Sequence, residues 1–269
     1  MTPFRRNPIT GEPVLFAPER AARPHAFSDS SNDARCPFCP GHESDTPPEI
    51  ARAGDPWRVR VVPNKYPPAD GAEVIIESPD HDARFDEIEH AEEVVRIYAE
   101  RQRAHADAKY VAIFKNEGER AGSSIPHVHS QVVPLPFVPP RIERELPGFA
   151  NRCPLCDEPS NVIRETSAFT WFAPHASSMA YQQWIVPRRH VASIANLNET
   201  ELRELATLLR DASSATRRIS DAYNWMFVNT PHFYIDLFPR VTSIAGLELG
   251  TGTFVEIIDP AAAAERLRR

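Results

Sequence analysis

Residues 123–133 read SSIPHVHSQVV, and residues 231–239 read PHFYIDLFP. Each stretch sets a histidine directly after a proline and continues into apolar, partly β-branched residues, the pattern of a strand leaving a turn. Side chains two apart in a strand point to the same face. His127, His129 and Gln131 therefore share one face, and His232, Tyr234 and Asp236 share the corresponding face of the second strand. A merely half-exposed strand has no need of three polar side chains in a row on one side.

Outward from these strands, the parts of the chain recur in the same order, a feature best sought before any fold is named. CPFC (Cys36, Cys39) is followed by VIIESPDH with His81, by a helix from about Asp86, and by PHVHSQVVP. CPLC (Cys153, Cys156) is followed by QQWIVPRRH with His190, by a helix from about Glu199, and by PHFYIDLFP. Each half thus supplies two cysteines and two histidines: Cys36, Cys39, His81 and His127, then Cys153, Cys156, His190 and His232. Mixed sulfur and nitrogen donors in fours are what tetrahedral zinc prefers, so two structural zinc sites are expected. Two rival readings of the cysteines stay open: a thioredoxin-like redox pair, and one four-cysteine site drawing on both CxxC pairs.

The helical stretches carry apolar residues at spacings of three and four: Ile88, Ala91, Val94, Val95 and Tyr98 in one, Leu202, Leu205, Leu208 and Leu209 in the other. Strands are expected near 59–62, 73–77, 110–114, 130–134, 168–172, 182–186, 225–228, 233–238 and 253–257. One main helix per half among hairpin-like strands implies an α+β fold of two pseudo-repeated halves, each with an antiparallel sheet. The halves are expected at 1–140 and 150–269, joined through the proline- and charge-rich stretch around 136–152.

Composition narrows the partners. The 269 residues are 42% apolar, enough for a substantial core, and the formal charge of −7 argues against broad nucleic-acid binding. No window approaches the roughly 18 apolar residues of a membrane span, and the N-terminus lacks a signal-peptide core. A cytoplasmic protein that does not engage membranes is the expectation. There, paired cysteines point to metal or redox chemistry rather than to structural disulfides.

The halves differ at one informative place. His127 aligns with His232 as a ligand, but His129 aligns with Tyr234 and Gln131 with Asp236. His129 is thus a surplus imidazole beside a metal site, able to act as base or nucleophile near neutral pH, with Gln131 offering an amide donor to an anion.

These residues resemble the galactose-1-phosphate uridylyltransferase branch of the histidine triad (HIT) superfamily. The likeness runs from RRNPITGEPVLFAPERAARP through CPFCPGHE, VVPNKYP, ESPDH and NEGERAGSSIPHVHSQ to the AAERLR tail. It implies a HIT-like fold, His127 as a zinc ligand, His129 as the nucleophile on a nucleotide α-phosphorus, and Gln131 as the phosphate donor. Val128 stands where the family commonly has proline. By the same resemblance Arg20 and Arg23 suit a diphosphate, Asn64 lies near the nucleoside with Lys65 facing solvent, Asn116, Ser123 and Ser124 form a loop close to phosphate, and Glu248 falls near the hexose position. Val255 sits where galactose enzymes use a glutamine. The second CxxC with His190 and His232, and the AGLELGTGTFVEII tail, look like the two-zinc members, ADP-glucose phosphorylases among them.

The activity so implied is exchange between a UDP-hexose and a hexose 1-phosphate through a covalent nucleotidyl-histidine, with nucleotide-sugar and sugar phosphate substrates and a homodimeric assembly. An ADP-sugar phosphorylase, or a dinucleoside polyphosphate phosphorylase or hydrolase, is the second reading. A nucleotide-binding protein without turnover is the third.

Overall fold

The computed structural model describes residues 4–22, 35–157 and 159–269. A small antiparallel hairpin, β1 (Phe4–Arg6) and β2 (Pro13–Leu15), precedes the main body. The first half then contributes β3 (Ala51–Ala53), β4 (Val59–Pro63), β5 (Glu73–Ile76), α1 (Ala91–Ala104), β6 (Tyr110–Glu117) and β7 (His129–Leu135). A short helix α2 (Pro140–Glu145) lies in the junction. The second half contributes β8 (Val162–Glu165), β9 (Phe169–Phe172), β10 (Gln183–Pro187), α3 (Glu199–Arg217), β11 (Tyr223–Val228) and β12 (Tyr234–Pro239), followed by α4 (Gly246–Thr251) and α5 (Pro260–Arg268).

The two sheets expected from the sequence run together into one. Ten strands lie in the order β3-β4-β5-β7-β6-β11-β12-β10-β9-β8, every neighbouring pair antiparallel, and the halves meet where β6 pairs with β11. The register at that seam is informative. Phe114 lies opposite Gln131 between β6 and β7, and Met226 lies opposite Asp236 between β11 and β12. Because Gln131 and Asp236 are equivalent, Phe114 and Met226 are equivalent too, and across the seam they lie opposite each other. A local twofold axis thus passes between them, perpendicular to the sheet as in any antiparallel pair. Such an axis keeps equivalent residues of the two halves on one face.

The other face is covered by α1 and α3. Val61, Ile75, Ile113 and Val132 from the first half, and Trp171, Ile185, Ile235 and Leu237 from the second, pack in one core with Val94, Val95 and Tyr98 of α1 and Leu202, Leu205 and Leu209 of α3. Burial of each large aliphatic side chain there is worth about 1.5–3 kcal/mol. The helices begin and end as their charges favour: Glu92 and Glu93 lead α1, and Arg101 and Arg103 close it. In α3, Asn198 Oδ1 accepts from the Glu201 amide at 3.0 Å and the Glu201 carboxylate accepts from the Asn198 amide at 2.8 Å, a reciprocal cap.

Three expectations need correction. Residues 253–257 form no strand, because the sheet ends at β3 and β8 and the segment reaches neither edge; Phe254, Val255 and Ile257 stay exposed. The first helix starts at Ala91 rather than Asp86, after a 3-10 turn over Phe85–Glu87. The short strands β1, β2, β3 and β8 had no visible alternation and were missed.

Arg189 clasps the Glu201 carboxylate at 2.8 and 2.9 Å, and that bond holds its pKa below the ordinary 4.5. Its contribution is full above 4.5 and disappears as pH falls through the depressed folded value. Replacing Glu201 with Gln is expected to lower stability by about 1 kcal/mol at neutral pH. In urea melts the gap between variant and parent should be full above pH 4.5 and narrow as pH falls below it.

Candidate active site and metal clusters

β5 and β7 are paired, Ile76 opposite His129, and the chain beyond β5 turns back so that the Ser78 carbonyl meets the His127 ring. His127 Nε2–H donates to that carbonyl at 2.7 Å, which aims Nδ1 at the CPFC turn, 3.6 Å from Cys36 Sγ and 3.7 Å from Cys39 Sγ. His81 Nδ1 lies 3.3 Å from Cys39 Sγ. In the second half His232 Nε2–H donates to the Pro187 carbonyl at 2.8 Å, with Nδ1 at 3.4 and 3.3 Å from Cys153 and Cys156 Sγ and His190 Nδ1 at 3.6 Å from Cys156 Sγ. A sulfur and a nitrogen bound to one tetrahedral zinc are about 3.6 Å apart. The donors of each quartet lie within 4.8 Å of one another, so both clusters are fit to hold a metal ion.

This arrangement does not fit one site drawing on all four cysteines. Each CxxC pair gathers its own two histidines, and all four cysteines are unlinked. Burial, more than any neighbour, pushes the Cys36 thiol up to about 11, and Cys156 likewise rises to about 11. Burial also lowers the pKa of His127 and His232, keeping them neutral as ligand imidazoles must be.

His129 is held differently. Its Nδ1–H donates to the carbonyl of His127 at 2.7 Å, so in the neutral ring the lone pair belongs to Nε2. The side chain is 5% exposed and lines a slot of about 150 Å³ with Gln131, Phe38, Val62, Val74 and Asn64. The Phe38 ring meets both imidazoles edge-on, at 6.0 Å from His127 and 5.4 Å from His129.

Behind β7, on the helix side, lies an ion pair that sequence reasoning missed. Lys115 Nζ, fully buried, donates to Glu77 at 2.6 Å and to the His129 carbonyl at 3.1 Å, with Glu117 at 3.3 Å. Glu77 also accepts from the hydroxyls of Tyr98 and Ser130. Burial, reinforced by Glu77, drives the Tyr98 pKa far above its usual value, so the phenol stays a donor. The alternation in YVAIFKNE carried the signal: Lys115 and Glu117 share the inward face with Val111 and Ile113, and charges placed there must be paired.

The residues assigned by resemblance are distributed unevenly. Asn64 and Ser124 line the slot, and Asn64 Oδ1 also accepts from the Tyr66 amide at 2.9 Å. Lys65 is exposed as expected but stands on the slot's rim. Arg20 donates to the Tyr66 carbonyl at 2.6 Å, close to that rim. Ser123 donates to the Ile125 carbonyl at 2.8 Å and shapes the turn. Asn116 accepts from Asn224 at 2.8 Å across the seam and does not line the slot. Glu248 is exposed, caps α4 through the Ala245 amide at 2.9 Å, and is not brought to the slot within this chain. Arg23 lies outside the described residues.

Comparison with known proteins agrees with this geometry. The model of the galactose-1-phosphate uridyl transferase N-terminal domain matches residues 64–139. An ADP-glucose phosphorylase of Arabidopsis thaliana is 29% identical over 98% of this chain and 92% of its own length. A galactose-1-phosphate uridylyltransferase of Thermotoga maritima is 26% identical over 100% and 98%. Among solved structures, the Arabidopsis thaliana ADP-glucose phosphorylase with bound ADP-glucose superposes with a TM-score of 0.82 at 28% identity, covering 100% of this chain and 99% of that one. A uridylyltransferase structure reaches 0.85 at 25%, covering 100% and 98%. The fold, the paired quartets and these matches define a HIT-like enzyme. The chain is similar over nearly its whole length to ADP-glucose phosphorylase and to galactose-1-phosphate uridylyltransferase.

Elemental analysis of the purified protein is expected to return two metal ions per chain, and of the His232→Ala variant one. Lys115→Met, which strands Glu77 without its cation, is expected to cost about 3–5 kcal/mol in chemical denaturation.

Proposed function

We propose that the protein is a nucleotidyltransferase acting on a nucleoside diphosphate sugar through a covalent nucleotidyl-His129. The observation that carries this reading is the imidazole of His129, pinned through Nδ1 with the lone pair on Nε2, in a slot shared with Gln131. His129 Nε2 attacks the α-phosphorus; the N–P bond forms as the P–O bond to the departing sugar 1-phosphate breaks. An acceptor phosphate oxygen then attacks the same phosphorus, the N–P bond breaks, and the neutral imidazole returns. Gln131 Nε2–H donates to the phosphoryl oxygens as charge builds. Arg20, Arg23, Asn64, Ser123 and Ser124 serve the nucleotide and its phosphates in this reading, Asn116 steadies their loop through Asn224, and Glu248 serves the hexose.

Both quartets take zinc. Cys36, Cys39, His81 and His127, and Cys153, Cys156, His190 and His232, would hold the ion with four protein donors each, and it would supply charge and orientation rather than Lewis-acid contact with substrate. In the first half that orientation fixes His127, and through its carbonyl the ring of His129.

Two acceptors are in play. Transfer of uridylyl to a hexose 1-phosphate is one. Transfer of adenylyl from ADP-glucose to inorganic phosphate is favoured by the complete second quartet and by the likeness to ADP-glucose phosphorylase over nearly the whole chain. The intact His129 and Gln131 speak against a binding protein without turnover.

A homodimer fits the exposed apolar segment that includes Leu247, Leu249, Val255 and Ile257, which a second copy would cover. We take residues 1–140 and 150–269 as the two units of an internal duplication. A cytoplasmic setting suits the unlinked cysteines, and no helix among the described residues is long and apolar enough to cross a membrane.

Intact mass measurement after brief mixing with ADP-glucose, UDP-glucose or UDP-galactose is the test. A nucleotidyl adduct is expected in the parent and none in His129→Ala, with Gln131→Ala slowing its formation about 100-fold. An adduct that persists in His129→Ala, or none with any donor on the folded, metal-loaded protein, overturns the proposal.

A further inference from the structure

The local twofold axis between Phe114 and Met226 carries the first half's slot onto a second cavity on the same face of the sheet. Register fixes the correspondence: Val62 opposite Val74 opposite Gln131 in the first half becomes Phe172 opposite Trp184 opposite Asp236 in the second. The CPFC residue Phe38 becomes Leu155 of CPLC, and His129 becomes Tyr234. Phe172, Trp184, Tyr234 and Leu155 do line a cavity there, of about 690 Å³. That volume falls within the roughly 300–1,000 Å³ of ordinary small-molecule sites.

The two ends of this cavity differ in chemistry. Its apolar end keeps and enlarges the cradle of the first slot: Trp184 packs against Tyr234 at 4.9 Å and against Phe172 at 5.9 Å, and Phe254 closes one side. Flat aromatic rings stack well on such a surface. At the other end the phosphate machinery is replaced. Asp236, 1% exposed, stands where Gln131 would meet a phosphoryl oxygen, and it is held by Gln182 at 2.7 Å and by Arg141 at 2.7 Å. Arg141, reaching in from α2, also donates to the Tyr234 hydroxyl at 3.0 Å and to Glu145 at 2.8 Å. Its charge is therefore met by two carboxylates before any ligand arrives. Of the remaining charged groups on the walls, Arg144 reaches Glu12 at 3.3 Å and Asp157 reaches Arg152 at 3.3 Å. A phosphate would meet Glu145, with Asp236 behind Arg141, and among the described residues neither arginine of the walls lacks a carboxylate partner.

The geometry points to a second ligand site in the C-terminal half, non-covalent, and selective for an uncharged nucleoside: a base stacked on Trp184 and a ribose toward Arg141 and Glu145. It rests on the reading of the first slot as a nucleotide site, whose apolar cradle it repeats. Tyr234 takes no covalent part, since burial pushes its phenol far above the usual range.

The test is calorimetric titration of the full, metal-loaded chain with adenosine and with uridine. For one of them, two sites per chain are expected. Ile125→Trp, which fills the first slot, should abolish one, and Ala176→Trp, at an exposed position lining the second cavity, should abolish the other while leaving adduct formation on His129 unchanged. Phe254→Ala should weaken the second site at least fivefold, and in the Ile125→Trp protein the matching nucleoside monophosphate should bind at least fivefold more weakly than the nucleoside. A single site untouched by Ala176→Trp, or a preference for the monophosphate there, overturns the inference. Should Ile125→Trp fail to fold, crystals of the parent soaked with nucleoside decide, by density beside Trp184 or none. Failure of the nucleotidyl-His129 reading shows separately, as absence of the adduct with the Ala176-sensitive site intact.

Discussion

The pairing of β6 with β11 is the constraint on which the molecule depends. Had the halves packed sheet against sheet, each would have needed its own cover and each would have kept an open edge at the seam. Joined edge to edge, they share one core beneath α1 and α3, and the unpaired edges retreat to the short strands β3 and β8. Short edges are a known protection against unwanted pairing. The seam is reinforced by Asn224 reaching Asn116 and the Ala121 carbonyl, which ties the strand join to the loop leading into SSIPHVHSQ. The geometry of the His127–His129 turn is thereby coupled to the union of the halves.

Around His129 two kinds of polar chemistry divide the labour. On the open face a quartet of sulfur and nitrogen donors fixes His127, whose carbonyl in turn fixes the His129 ring. On the covered face the same strand is held by Lys115, Glu77, Tyr98 and Ser130, a network with no access to solvent. A buried ion pair is weak as a source of stability but demanding in geometry, since every lone pair must find a donor. That demand suits a strand whose backbone carbonyl at His129 is itself one of the acceptors.

Much of this was legible in the sequence because it is periodic or repeated. The paired orders of CxxC, histidine, helix and PHxxx defined both quartets without a structure, and alternation placed eight of the ten main strands. What escaped was non-local or irregular. Nothing in YVAIFKNE or YNWMFV announces that the two strands are partners, for pairing across more than a hundred residues leaves no local trace. β3 and β8 are short and carry charged residues, and 253–257 has the aromatic and β-branched residues of a strand but no edge to join. Lys115 was passed over because a lone lysine in a strand is normally taken as solvated. Glu248 shows the limit of transfer by resemblance: its place in the sequence motif is clear, but within this chain its carboxylate caps α4 and stands away from the slot.

The twofold seam also bears on how such a chain can change over evolutionary time. In a dimer of two identical half-length chains, any substitution appears at both sites at once, so a mutation that spoils one nucleophile spoils its twin. Covalent fusion removes that coupling. Histidine can persist at position 129 while tyrosine occupies 234, and glutamine at 131 while aspartate, with an arginine drawn from the linker, occupies 236. The internal symmetry preserved in the backbone is thus what permits the asymmetry of the side chains: one scaffold, present twice, carrying different side chains at its two sites.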